Sequence, residues 1–168
     1  MESSTAGKGI LDGDQATRES IVALLTKAYW MEIETVMSYI ANSVNPDGVR
    51  AQEIIESLQQ DITEELGHAQ QFAHRIKELY GVVPGSLDFT AEQSYLQPPE
   101  HQTDIVHVIK GVIEAETGAI EHYNTIIRET EEIDPVTQDM VIAILRDEEG
   151  HRRLFEGYLR EYEAEGLA

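Results

Sequence analysis

Apolar residues recur every three or four positions over four long stretches, the spacing of helices that each bury one face. The first stretch, about residues 17–42, places Ile21, Leu25, Ala28, Val36 and Tyr39 on one side. The tetrapeptide NPDG at 45–48 breaks it, since proline and glycine punctuate helices. The second, about residues 49–80, turns Ile54, Leu58, Ile62, Ala69, Phe72 and Ile76 inward, with Gly81 as its stop signal. The third, about residues 103–132, does the same with Ile105, Ile109, Val112, Ile120 and Ile127. Asp134 and Pro135 then read as a cap and a first-turn proline. They open a fourth helix with Val141, Ile144, Leu145, Phe155 and Tyr158 inside, its apolar row extended by Leu154 and Tyr162.

The connections decide how four such helices are joined. The first and last are short, which makes two antiparallel hairpins. The middle one, GVVPGSLDFTAEQSYLQPPEHQ at 81–102, contains three prolines. A helix of ~30 residues is ~45 Å long, and some ~20 extended residues at ~3.3 Å each can run back along it. Helices two and three are therefore expected to lie parallel, with one long crossover between them. The predicted fold class is all-α, an antiparallel four-helix bundle with that crossover. Residues 1–16 read as a flexible N-terminal tail and 17–168 as one bundle domain.

Each inward row runs into an acid. The row 21, 25, 28 continues to Glu32, and 105, 109, 112 to Glu116. The row 58, 62 continues to Glu65 with His68 one turn on, and 141, 144 or 145 to Glu148 with His151 one turn on. A lone Glu-x-x-His is a weak signal, but here the chain repeats itself. Glu32 precedes Glu65 by 33 residues and Glu116 precedes Glu148 by 32. A tyrosine follows each lone glutamate by seven: Tyr39 in MEIETVMSY, Tyr123 in AETGAIEHY. Unpaired carboxylates in a core are very costly. Two divalent cations would cancel the charge of four.

Composition narrows the chemistry. With no cysteine, disulfides, iron–sulfur clusters and thiolate zinc sites are excluded, leaving carboxylate and imidazole donors that suit Fe, Mn or Zn. A net charge of −20 argues against DNA binding, which needs a basic footprint, and reads as a solvated, halophile-like surface. No apolar run is long enough to span a membrane. The polar N-terminus lacks a signal core, so the expected location is cytoplasmic.

A Glu plus a Glu-x-x-His from each hairpin matches the pattern of ferritin-like dinuclear carboxylate proteins. The chain resembles that family over about residues 17–163, and within it bacterioferritin and the small Dps-like ferritins. ITEELGHAQQFAHRIKELYG resembles the bacterioferritin second helix, QDMVIAILRDEEGHRRLFE the fourth, and LTKAYWMEIETVMSY the first. The resemblance implies a ferroxidase, an iron storage and detoxification protein that oxidises Fe(II) with O2 or H2O2. It implies two Fe ions per chain, Mn being possible, with Glu65 and Glu148 bridging them. Glu32 and His68 would complete one position, Glu116 and His151 the other. On the third helix the alignment alternates between Glu114 and Glu116. The helical angle favours Glu116, in row with Val112 and Tyr123. Bacterioferritin carries a haem-ligating methionine after its second-helix glutamate; Leu66 stands there, so no haem is expected. Seventeen residues follow His151, too few for a fifth helix, which points to a homo-oligomeric cage of twelve chains.

Other readings stand beside these. On the same fold, a rubrerythrin-like peroxidase or manganese catalase is possible, although Ala119 occupies the place of the extra rubrerythrin carboxylate. A metal-free helical stress or assembly protein is the third. Glu34, Glu64, Glu114, Glu121 and Glu149 are assigned to solvated faces, and His74, His101, His107 and His122 to the surface. Tyr39 and Tyr123 are either core packing or support for the site, and Trp30 is read as packing.

Overall fold

In a computed structural model that describes residues 9–168, four helices carry the chain: α1 (Gln15–Val44), α2 (Gln52–Glu78), α3 (Ile105–Thr130) and α4 (Pro135–Ala164). Three of them begin at an aspartate whose carboxylate accepts an orphan backbone N–H of the first turn. Asp14 accepts from Thr17, Asp104 from His107 and Asp134 from Thr137. Helix α2 has no such cap. Of the expected tail, residues 1–8 lie outside the described residues. Ile10–Asp12 form a 3-10 turn whose Ile10 is buried.

Polar contacts at the two bundle ends define the topology. At one end Asp47 N donates to Gln102 O (2.9 Å), joining the α1–α2 turn to the approach to α3. Arg50, just before α2, pairs there with Glu165, just after α4 (2.5 Å). At the other end Arg75, buried near the close of α2, reaches Thr137 and Asp134 at the start of α4 (2.8 Å each). Helices α2 and α3 thus run the same way, and the segment between them returns the full bundle length. That is the one-crossover arrangement expected from the loop lengths.

The crossover is strapped down. Glu34 on α1 accepts backbone N–H bonds from Glu92 (2.9 Å) and Gln93 (2.7 Å). Asn42 donates to Leu96 O (2.8 Å), and Leu96 is buried. The backbone passes so close to α3 that a Cβ on Gly111 would stand 2.7 Å from Tyr95 O. Trp30 packs on Phe89 of the same segment. Glu34 is therefore not on a solvated face: the crossover covers the side of α1 that a single-helix reading leaves in water.

Other expectations are corrected in detail. The residue with positive φ at the end of α2 is Tyr80 (62°), not Gly81. Gly81 is instead a close approach, since a Cβ there would lie 2.8 Å from Val22. Leu154 is exposed rather than part of the buried row, because it follows Arg153 around to the outer side of α4. Val36, Ile62, Ile120, Ile127 and Leu145 are half-buried at the edges of their faces.

Two apolar clusters divide the interior. One gathers Ile21, Leu25, Ala28, Phe72, Ile76, Tyr123, Ile126, Val141 and Ile144. The other gathers Tyr39, Ile54, Leu58, Ile109, Val112 and Phe155. The interruption between them is polar.

Candidate metal centre

Mid-bundle, each helix delivers its acid. Glu32, Glu65, His68, Glu116, Glu148 and His151 are all buried, none more than 8% exposed. They form two overlapping groups, Glu32–Glu65–His68–Glu148 and Glu65–Glu116–Glu148–His151. Within each group one ligand-type atom per residue lies within 4.8 Å of all the others. The two groups share Glu65 and Glu148, one from each hairpin.

The sharing is visible atom by atom. His68 Nδ1 lies 3.2 Å from Glu65 Oε2 and 3.0 Å from Glu148 Oε1. His151 Nδ1 lies 3.4 Å from Glu65 Oε1 and 3.5 Å from Glu148 Oε2. Each central carboxylate thus turns one oxygen to each imidazole. Glu32 approaches His68 (3.8 Å) and Glu116 approaches His151 (3.9 Å). Glu114 is exposed on α3, which leaves Glu116 as the acid that α3 brings inside.

The tyrosines tie the two lone glutamates across the bundle. Antiparallel α1 and α3 set residue 39 beside 116 and residue 123 beside 32. Tyr39 donates to Glu116 (2.5 Å) and Tyr123 donates to Glu32. Both rings are fully buried.

The outer imidazole nitrogens meet acids that the helical pattern did not single out. His68 Nε2 faces Asp147 (3.2 Å), and His151 Nε2 faces Glu64 (3.0 Å) with Asp61 behind it (3.6 Å). Glu64, read as solvated, is half-buried in this contact. The missed signal was the tandem acid in both copies, Glu64-Glu65 and Asp147-Glu148. Of the histidines placed on the surface, His74, His101 and His107 are exposed, whereas His122 is half-buried with Nε2 2.9 Å from Leu24 O. Burial lowers the His122 pKa and outweighs the bond to Leu24 O, which raises it.

Without cations the charges settle by moving protons. Burial, then Glu65 and Glu148, raise Glu32 and Glu116 well above the carboxylate range. Burial also opposes charge on Glu148, but the His151 and His68 imidazoles set against it override that and hold Glu148 at about 2. The imidazoles likewise resist burial through those same close contacts with Glu148 and Glu65: His68 is raised to about 10 and His151 to about 12. Even so, Glu65 Oε1, Glu148 Oε1 and His151 Nδ1 are buried with no hydrogen-bond partner. All three point into the cluster. Buried polar atoms are seldom left this way, and four carboxylates with two imidazoles make a donor set suited to two divalent cations of the iron, manganese or zinc kind.

Fold and site together define a four-helix carboxylate protein, and the chain belongs to the ferritin-like family: residues 22–164 match the Ferritin-like domain. It is 32% identical over 146 residues to the DNA protection during starvation protein of Pyrococcus furiosus, covering 84% of this chain and 77% of that protein. It is 24% identical over 146 residues to the bacterioferritin of Desulfovibrio desulfuricans, covering 86% and 77%. Among solved structures it resembles the dodecameric thioferritin, a bacterioferritin-related protein, of Bacteroides fragilis (TM-score 0.77, 23% identity, 94% of each chain). It also resembles DpsA14 from Streptomyces coelicolor (TM-score 0.78, 19% identity, 90% and 92%).

Proposed function

We propose that the chain is a ferroxidase that takes up Fe(II), oxidises it and removes it from solution. The observation that carries this reading is the pair of overlapping buried groups with two shared carboxylates. Two Fe(II) ions, as substrate, supply two electrons that, with two protons, reduce one O2 to H2O2 or one H2O2 to two waters. The chain's own residues do the rest. Glu65 and Glu148 each present an oxygen to both positions. Glu32 with His68, and Glu116 with His151, complete one position each. Tyr39 and Tyr123 hold the lone glutamates in orientation, and Asp147 and Glu64 accept the outer N–H of each imidazole. A hydrogen bond of that kind fixes the ring and its tautomer.

The reading also includes assembly into a hollow cage of twelve chains, supported by likeness to a relative described as dodecameric. Leu66, which is exposed on α2, offers no haem ligand, so the reading includes none. A rubrerythrin-like peroxidase is less well supported, because Ala119 stands on α3 where a further carboxylate would be needed. The net charge of −20 favours protection through iron removal over direct DNA contact. Among the described residues no helix is long and apolar enough to cross a membrane.

The test is Fe(II) oxidation by protein stripped of metal, followed by stopped-flow absorbance with O2 or H2O2 as oxidant. A fast phase saturating at two Fe(II) per chain is expected. Oxidation no faster than in buffer, with no metal retained on purification, would leave the metal-free assembly reading. Light scattering should give about twelve times the mass of the 18.9 kDa chain; a stable dimer would remove the cage and mineral storage.

A further inference from the structure

The two Glu-x-x-His segments correspond position by position. Glu64, Glu65 and His68 on α2 match Asp147, Glu148 and His151 on α4, 83 residues later. One turn earlier the correspondence fails: Asp61 on α2 matches Ile144 on α4. Ile144 is core hydrocarbon, 1% exposed, while Asp61 is an acid only 4% exposed. Asp61 Oδ1 lies 3.6 Å from His151 Nε2, and Oδ2 has no hydrogen-bond partner. The fold accepts an apolar residue at this place in one copy. In the other it keeps a buried, half-satisfied carboxylate, which is destabilising on its own account.

The consequence is an asymmetry around otherwise matched imidazoles. The outer nitrogen of His68 faces Asp147, whose side chain is 50% exposed. That of His151 faces Glu64, 40% exposed, and also Asp61, 5% exposed. Water screens the exposed acids, and a buried carboxylate acts through a lower effective dielectric. The His151 side therefore carries a strong negative neighbour that the His68 side lacks.

We propose that Asp61 is a positioning residue that makes the two cation positions unequal. Together with Glu64 it holds the His151 ring with Nδ1 turned toward Glu65, Glu116 and Glu148. The position completed by Glu116 and His151 then takes the first divalent cation, ahead of the one completed by Glu32 and His68. This rests on the reading of the six residues as a dinuclear centre; it involves no electron transfer.

The experiment is an anaerobic Co(II) titration of the full chain, read by visible absorption and by calorimetry. Wild type is expected to bind two Co(II) in separable steps. Asp61→Asn and Asp61→Ile, the second copying Ile144, should weaken the tighter step by about tenfold to a hundredfold, the usual effect of losing an outer hydrogen-bond partner. Asp61→Glu should restore most of it. The steps are assigned in two backgrounds. With His68→Ala, Asp61→Asn should weaken the remaining site by that factor. With His151→Ala, it should leave the remaining site within about twofold and its Co(II) spectrum unchanged. Two bound Co(II) with no effect of either Asp61 variant, or with equal loss at both positions, would overturn the positioning role and leave the dinuclear centre standing. Absence of Co(II) binding by wild type would overturn both.

Discussion

Tyr39 on α1 donates its phenol proton across the bundle to Glu116 on α3 at 2.5 Å. The reciprocal bond, Tyr123 to Glu32, completes a two-way tie between the hairpins. If the rings served packing alone, Tyr39→Phe and Tyr123→Phe would be nearly silent, since each keeps the ring. Loss of a donor to a buried acid instead costs about 1–3 kcal/mol. Each variant should therefore lower the urea unfolding free energy of the metal-free protein by about that amount. A change below about 0.5 kcal/mol, the level of an ordinary surface substitution, would return both tyrosines to packing.

Glu65→Ala and Glu148→Ala each remove a carboxylate shared by both positions and should abolish the fast Fe(II) oxidation phase. Glu116→Ala should also remove it. Glu114→Ala, two residues away on the exposed side of α3, should keep the wild-type rate within about twofold, as an exposed site remote from the centre. Equal losses in the Glu114 and Glu116 variants, measured by stopped flow, would contradict the assignment.

Cation uptake should release protons. In the metal-free centre burial lowers both imidazoles, but the facing Glu148 and Glu65 outweigh it and raise His68 to about 10 and His151 to about 12. Burial raises Glu32 and Glu116 as well. At pH 7 the two imidazoles hold protons that a metal must displace, and the upward shift of the two carboxylates acts in the same direction. The sign follows: affinity rises with pH and falls as acid competes for the same lone pairs. Calorimetry in buffers of different ionisation enthalpy should show net proton release per metal bound. A pH-independent affinity between pH 6 and pH 8 would count against occupation of these residues.

Glu34 gives a test remote from the centre. Its carboxylate accepts the backbone N–H groups of Glu92 and Gln93, and Gln93 is buried. Glu34→Ala strands those donors and should cost about 1–3 kcal/mol in thermal unfolding. Hydrogen exchange at residues 92 and 93 should speed up. Glu34→Gln, which keeps one acceptor, should fall between. Unchanged exchange in the alanine variant would mean that the crossover is held by other contacts.

Asp134, fully buried, both caps α4 and receives Arg75. Removing one partner of a buried ion pair costs about 3–5 kcal/mol, so Asp134→Ala should be the most destabilising of these variants by chemical denaturation. Simultaneous replacement of Arg75 by methionine should recover part of the loss. No recovery in the double variant would show that the cap, not the stranded charge, dominates.

Much of this architecture was legible in the order of residues. Helical periodicity is local, so Ile21, Leu25 and Ala28 point to Glu32, and Val141 and Ile144 point to Glu148, before any partner helix is known. The same holds for the Asp134-Pro135 start, for the burial of Glu116 rather than Glu114, and for the duplicated Glu-x-x-His. Contacts between helices are not local, and there the reading of single faces ran out. Glu34 lies on a side of α1 that stays wet until the crossover folds over it. Tyr39 could be placed inside but not paired with Glu116, because that pairing depends on the antiparallel register of α1 against α3. Asp61 and Arg75 look like ordinary polar positions of an acidic helix. They become buried, and acquire His151 and Asp134 as partners, when α4 packs beside α2: periodicity assigns a side chain to a face, and docking assigns its neighbours.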